Sequence, residues 1–151
     1  MNKLSTAVIC LLLCKAAFAQ AGSVATTFEP AVVPIDSHFS FAVAAAGSLN
    51  LTRNNWVSAR FGYSESPAAT RTGLLGVGRN LVEFLPGLTL IGTVQGGRSF
   101  SRDGDRFLVV YGTGVATDLG NGYSVTYGVY INKQEGTGLY PSLFVTLSKS
   151  W

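Results

Sequence analysis

Residues 123–132 read YSVTYGVYIN, and two kinds of side chain alternate along this stretch. The odd-numbered positions carry large apolar or aromatic groups: Tyr123, Val125, Tyr127, Val129 and Ile131. The even-numbered positions are mostly small or polar: Ser124, Thr126, Gly128, Tyr130 and Asn132. Because successive side chains of an extended chain point to opposite faces, this period of two predicts a β-strand with one apolar face.

The same alternation recurs along the chain and predicts an all-β protein. It is clear in residues 38–46, 57–63, 88–96, 107–117 and 142–151. Residues 71–84 are also extended, but Gly73, Gly76 and Gly78 leave their facing open and are candidates for a β-bulge. Residues 23–29 fit either a strand or a loose arm. Counting both segments gives about eight strands in one domain.

Residues 1–19 are predicted to be a secretory signal peptide. Lys3 provides the positive start, residues 7–14 form an apolar run, and Ala17 and Ala19 mark a cleavage site. Cys14 also suggests a lipoprotein signal, but Leu13 stands where such signals carry a small residue. Cleavage would remove both cysteines and leave residues 20–151 as a β-barrel domain without disulfides.

Composition excludes several classes of protein. Charged residues make up 13% of the chain, against ~25% in ordinary soluble domains. The formal net charge is only +3, mean hydropathy is +0.31, and His38 is the single histidine. These values disfavour a disordered chain, a nucleic-acid partner and a metal site built from several histidines. We therefore predict no cofactor and no metal.

The location of charge decides between a soluble sheet and a membrane barrel, since alternation fits both. A soluble sheet carries Lys, Glu and Arg on its wet face, whereas the non-apolar face here is mostly Ser, Thr, Gly and Ala. Small side chains suit the narrow lumen of a closed barrel. The sequence therefore favours a single antiparallel up-and-down transmembrane β-barrel. A secreted, soluble β-sandwich that acts as a binding module is the alternative.

The connections between strands alternate in character, as an up-and-down meander produces. Tight turns are predicted at residues 84–87 and 118–122, the second ending in an Asn-Gly pair that favours left-handed backbone geometry. Longer polar connections are predicted at residues 64–71, 96–105 and 133–138. These longer connections are the predicted external loops.

The last strand carries a further pattern. Leu143, Val145 and Leu147 occupy alternate positions before a terminal aromatic, Trp151. This segment resembles the C-terminal assembly signal of bacterial outer-membrane β-barrel proteins of the small, eight-stranded type. Lys149 departs from it, because that position is usually apolar. The resemblance implies insertion by the barrel-assembly machinery into a Gram-negative outer membrane, with both termini in the periplasm. It identifies no subfamily.

Aromatic residues near the predicted strand ends suggest the girdles that anchor a barrel at the membrane–water interfaces. The candidates are Tyr63, Tyr123, Tyr140 and Trp151. Arg60, Arg79 and Glu83 lie in or beside strands and are predicted to meet in the lumen, as an interior ion pair or a polar path.

Two functional hypotheses follow for a membrane barrel. The first is a non-enzymatic role: structural, surface-binding, or porin-like if the protein forms an oligomer. Its expected partners are outer-membrane lipid and lipopolysaccharide. Arg98, Arg102 and Arg106 are a candidate lipopolysaccharide contact, offset by Asp103 and Asp105.

The second hypothesis is an enzyme. His38 and Ser40, in the sequence His-Phe-Ser, resemble the His-x-Ser motif of lipid A-modifying outer-membrane barrels. In that family the motif lies in a late strand, and here it lies in an early one. The resemblance implies that His38 and Ser40 are the candidate catalytic residues.

Overall fold

The computed structural model describes residues 22–33, 38–64, 69–136 and 138–150. They form eight β-strands: β1 (Gly22–Val33), β2 (His38–Asn50), β3 (Asn55–Ser64), β4 (Thr70–Leu85), β5 (Leu88–Ser101), β6 (Gly104–Gly120), β7 (Tyr123–Gln134) and β8 (Leu139–Ser150). No helix among these residues is long and apolar enough to cross a membrane. Residues 23–29 belong to β1, and residues 71–84 belong to β4.

The strands close into one barrel. Each strand pairs antiparallel with its neighbours in the chain, and β1 pairs with β8. This confirms the predicted up-and-down barrel. The β-sandwich alternative is wrong, because the sheet closes on itself and does not form two stacked layers. A closed sheet has no free edge, so every strand has a partner on both sides.

The pairing register fixes how far the strands tilt. One row of paired residues, followed around the barrel, starts at Asn50 in β2 and returns to β2 at Ser40, ten residues earlier in the chain. The row is Asn50, Trp56, Gly78, Thr93, Gly112, Tyr130, Ser142, Ala31 and Ser40. A stagger of ten residues over eight strands gives a tilt of about 40° from the barrel axis. Each residue then advances the strand by about 2.5 Å along that axis.

The outer face of the barrel is apolar, as the alternation predicted. Large apolar side chains from successive strands are exposed on it, among them Val43, Phe61, Leu75, Val77, Val94, Tyr111, Tyr127, Ile131, Leu143 and Val145. In a soluble protein a continuous apolar surface of this size would drive association. On a closed barrel it is the surface that faces hydrocarbon.

The facing of β4, which the sequence left open, follows the pairing. Leu74 and Gly78 are buried inside the barrel, and Leu75, Val77 and Arg79 are exposed outside it. The register shifts lie between Asn80 and Val82 and between Glu83 and Leu85. The predicted bulge is therefore present in this strand, but not at its glycines.

The turns agree with the prediction at residues 84–87 and 118–122, and the connection predicted at residues 96–105 differs from it. Asn121 and Gly122 adopt positive φ angles of 52° and 75°, as an Asn-Gly turn requires. The long loop predicted at residues 96–105 is wrong. β5 continues to Ser101, β6 starts at Gly104, and only Arg102 and Asp103 connect them. Gly104, at φ 115°, allows this tight connection.

Candidate functional site

The candidate site is the interior of the barrel, where Arg60 lies at mid-height. This residue is on the inward face of β3 and is 5% exposed. Its Nη1 atom donates a hydrogen bond of 3.5 Å to Oε1 of Gln95 on β5. Its guanidinium carbon lies 5.0 Å from the centroid of the Tyr130 ring on β7. Among the buried side chains that the structure describes, Arg60 is the charged one.

Two aromatic rings close the lumen beside this arginine. Tyr130 and Phe144, on β7 and β8, stack with a centroid distance of 4.0 Å and an interplanar angle of 16°. They form one buried cluster with Leu74, Leu108 and Val110 from β4 and β6. An eight-stranded barrel is just wide enough for its side chains to fill. The cluster therefore fills part of the lumen with close-packed apolar groups.

Two glycines of β6 make room for these rings. A β-carbon added at Gly112 would lie 2.6 Å from Cε1 of Tyr130, and one added at Gly114 would lie 2.9 Å from Cζ of Phe144. Both distances are well inside van der Waals contact. The rings lie across strand positions that hold no side chain, which explains glycines in the middle of β6.

Small polar groups line the lumen on both sides of the apolar cluster. On one side, Nδ2 of Asn132 donates to Oγ of Ser142 at 2.9 Å. Towards the chain termini, hydroxyls pair between strands: Ser23 with Ser48 at 2.6 Å, Thr27 with Thr146 at 2.9 Å, and Ser124 with Ser148 at 3.2 Å. These pairs satisfy buried polar atoms without filling the lumen with bulk.

The three residues predicted to meet in the lumen do not meet. Arg60 lies inside, but Arg79 is exposed on the outer face. Glu83 is exposed near the β4–β5 turn, where its Oε1 accepts a 3.1 Å hydrogen bond from the backbone N of Gly87. The prediction of an interior position is corrected for Arg79 and Glu83.

The predicted interfacial aromatics occupy different environments. Tyr123 is exposed at the end of β7, and the Lys149 ammonium lies 4.0 Å from its ring centroid. Tyr63 is half-buried near the other end of the barrel. Tyr140 pairs with the buried Asn132, which places it on the inward face, so its predicted interfacial role is corrected. Trp151 lies outside the described residues.

The remaining candidates are placed as follows. Leu143, Val145 and Leu147 all lie exposed on the outer face of β8. His38 and Ser40 lie in the first residues of β2, and their side chains are outside the part of the chain whose side chains the structure describes. No group of three or more His, Cys, Asp or Glu residues that could hold a metal occurs among the described residues.

Tyr130 and Phe144 are not among the site residues predicted from the sequence. Their signal was present, because both are large aromatics on strand faces that otherwise carry Ser, Thr, Gly and Asn. Their opposing partners, the glycines of β6, could be assigned only once the pairing register was known.

Comparison with known proteins agrees with this fold. No protein-family model matches the sequence, and no curated protein matches it. Three solved structures superpose on most of the chain. The N-terminal β-barrel domain of Pseudomonas aeruginosa OprF has a TM-score of 0.64 at 9% identity, covering 84% of this chain and 96% of that one.

Neisserial surface protein A (NspA) has a TM-score of 0.61 at 9% identity, covering 86% and 96%. A de novo designed transmembrane β-barrel has a TM-score of 0.59 at 12% identity, covering 85% and 92%. At such low identity the likeness establishes the fold and no activity. The chain thus has the fold of these eight-stranded β-barrels, and the comparisons agree with the closed sheet and its apolar outer face.

Proposed function

We propose that this protein resides in the bacterial outer membrane as a non-enzymatic barrel with an occluded lumen. Its role would be structural or surface-binding and would not include solute conduction. The stacked rings of Tyr130 and Phe144 carry this proposal. With Leu74, Leu108 and Val110 they form a buried apolar cluster across the lumen, beside Arg60. Water and ions would have to displace close-packed side chains to pass.

An occluded lumen fits a structural or surface-binding role and does not fit a porin-like role. Porins of 16–18 strands leave an aqueous channel, whereas the lumen of an eight-stranded barrel is filled by side chains. Oligomerisation would not open a path through a lumen that is blocked within each chain. The parts left free to interact are the outer face and the ends of the barrel.

Channel recording tests the proposal. The barrel domain predicted from the sequence, residues 20–151, refolded and inserted into planar lipid bilayers, is expected to give no stepwise current. Removal of both rings in the double variant Tyr130→Ala and Phe144→Ala is expected to produce measurable conductance. The matched control is Tyr127→Ala with Val145→Ala, a pair on the outer face of the same two strands, which should stay silent. Discrete current steps from the unmodified protein would refute an occluded barrel.

Residence in the outer membrane is tested by electrophoresis and by membrane fractionation. A compact barrel resists detergent at room temperature and migrates differently in electrophoresis after boiling. We expect this heat-dependent shift, together with recovery of the protein in the outer-membrane fraction. Release of the protein into the aqueous periplasmic fraction without detergent would contradict membrane residence.

A further inference from the structure

Three cations on the outer face lie at one height, at the end of the barrel away from the chain termini. They are Arg71 on β4, Arg98 on β5 and Lys133 on β7, and all three are exposed. Arg71 pairs with Phe100, and Arg98 pairs with Gly73, so the two arginines are diagonal neighbours on adjacent strands. With the stagger of the barrel taken into account, the three α-carbons lie within about 2 Å of one level.

This level bounds the apolar belt of the barrel. Arg79, on the same face of β4 as Arg71, lies eight residues further along the strand, which is about 20 Å along the axis. None of the outward-facing residues that the structure describes between these two levels is charged. An outer-membrane barrel has an apolar band about 25 Å tall. The three cations therefore lie where hydrocarbon meets lipid headgroups.

Acidic side chains of the described residues lie near the three cations. Among the described residues, no carboxylate forms an ion pair with any of the three. Two acids lie nearer the rim: Asp105 pairs with Phe100, and Glu135 accepts a 3.3 Å hydrogen bond from the backbone N of Phe107 through Oε2. Phe107 itself is exposed between Arg98 and Lys133.

The three arginines that the sequence suggested as one lipopolysaccharide contact lie in different parts of the barrel. They are Arg98, Arg102 and Arg106. Arg106 pairs with the buried Ser99 and so lies on the inward face, while Arg98 faces outwards. Arg102 lies in the turn that joins β5 and β6. Arg98 is therefore the one of these three that belongs to the outer-face group, and its companions come from β4 and β7.

We propose that Arg71, Arg98 and Lys133 form a binding site for the phosphates of lipopolysaccharide in the outer leaflet. Guanidinium groups bind phosphate through paired hydrogen bonds, and an ammonium adds a compact point charge. The site covers four adjacent strands, about 19 Å around the barrel wall at one level, so it can contact more than one lipopolysaccharide phosphate.

This inference rests on the proposed residence in the outer membrane and adds a ligand to the outer face. It is tested with the mature chain in mixed micelles that contain either bisphosphorylated lipid A, fully dephosphorylated lipid A or phosphatidylglycerol. Lipid retained by the purified protein is measured by native mass spectrometry. The unmodified protein is expected to retain bisphosphorylated lipid A at least tenfold above the other two lipids.

The triple variant Arg71→Gln, Arg98→Gln, Lys133→Gln is expected to lower this retention about tenfold. Arg79→Gln, which removes an outward cation at the opposite level, should leave it unchanged. Equal retention by the triple variant and the unmodified protein would overturn the site, as would equal retention of phosphatidylglycerol and lipid A. Should the triple variant not fold, the single variants Arg71→Gln and Lys133→Gln are measured in its place. Each is expected to retain less bisphosphorylated lipid A than the unmodified protein, and equal retention by both would overturn the site. Channel recording and the electrophoretic shift test the occluded barrel independently, so either proposal can fail alone.

Discussion

The guanidinium of Arg60 faces the ring of Tyr130 at 5.0 Å inside the barrel, midway between the levels of Arg71 and Arg79. A buried cation is costly unless its surroundings compensate for lost hydration. Here the electron-rich face of a tyrosine and the amide oxygen of Gln95 supply part of that compensation. The Tyr130 ring also stacks on the ring of Phe144, so Tyr130 contacts both polar and apolar groups of the lumen.

Two substitutions of Tyr130 distinguish the contribution of its ring to stability from that of its hydroxyl. We expect Tyr130→Leu to lower the free energy of unfolding by about 1–3 kcal/mol, because both the cation–π contact and the aromatic stacking are lost. Tyr130→Phe keeps the ring and should cost less than about 1 kcal/mol. Urea unfolding in lipid vesicles, followed by tryptophan fluorescence, measures both. Equal losses in the two variants would mean that the hydroxyl, and not the ring, stabilises this region.

The glycine at position 78 is expected to be required by Trp56. These residues are directly paired on β3 and β4, and a β-carbon at Gly78 would overlap the indole ring. We predict that Gly78→Val lowers stability by more than about 2 kcal/mol, within the range of overpacking effects. In a Trp56→Ala background, the same Gly78→Val substitution should cost less than about 1 kcal/mol relative to Trp56→Ala alone.

Gly73 provides the control on the same strand. It lies on the outer face, and the nearest atom to an added β-carbon there is 3.7 Å away, on Phe61. Gly73→Val should therefore leave stability within about 0.5 kcal/mol or raise it. If Gly78→Val were tolerated as well as Gly73→Val in the same unfolding assay, the indole would not occupy the position described here.

Strand faces could be predicted from sequence wherever large and small side chains alternate without interruption. In β7 and β8 the assignment of Tyr127 and Leu143 to the outer face needs only the period of two. The same parity also assigns Tyr140 to the face of Ser142 and Phe144, which is the inner one. The prediction that Tyr140 belongs to an interfacial girdle rests on its nearness to a strand end. The alternation of side chains along β8 instead places it on the inner face.

Other features depend on pairing that one sequence does not contain. Gly73, Gly76 and Gly78 fall on both faces of β4, so they hide its alternation, and the outward position of Arg79 became clear only from its pairing with Asn55. The level shared by Arg71, Arg98 and Lys133 depends on the ten-residue stagger of the whole barrel. These residues are far apart in the chain, and no local pattern connects them.

A charge placed on the outer face tests whether that face contacts hydrocarbon. Leu75 is 71% exposed and lies near the middle of the apolar belt. Leu75→Arg is expected to lower the free energy of unfolding in lipid vesicles by about 2–4 kcal/mol, the cost of an arginine near the bilayer midplane. Leu85→Arg, at the β4–β5 turn, should cost at most about 1 kcal/mol. A surface in contact with water would tolerate both substitutions equally.

The enzyme hypothesis is tested at His38. For a non-enzymatic barrel, His38→Ala and Ser40→Ala should leave the lipid A of expressing cells identical in mass to that of cells with the unmodified protein. Mass spectrometry of extracted lipid A makes the comparison, with cells that lack the protein as reference. A mass change that depends on the protein and disappears in His38→Ala would favour the enzyme.

The terminal aromatic is expected to act in assembly and not in the stability of the finished barrel. Val145 and Leu147 pair with Tyr127 and Val125, so most of β8 is held without Trp151. We predict that deletion of Trp151 lowers the amount of folded protein in the outer membrane of cells severalfold. The same deletion should change the free energy of unfolding of the purified, refolded protein by less than about 1 kcal/mol. Leu147→Asn, which alters an outward-facing position of the same segment, is expected to reduce assembly in cells as well. A Trp151 deletion that reaches the membrane at normal levels would show that this segment is not a recognition signal, and a large loss of stability in vitro would assign Trp151 a structural role.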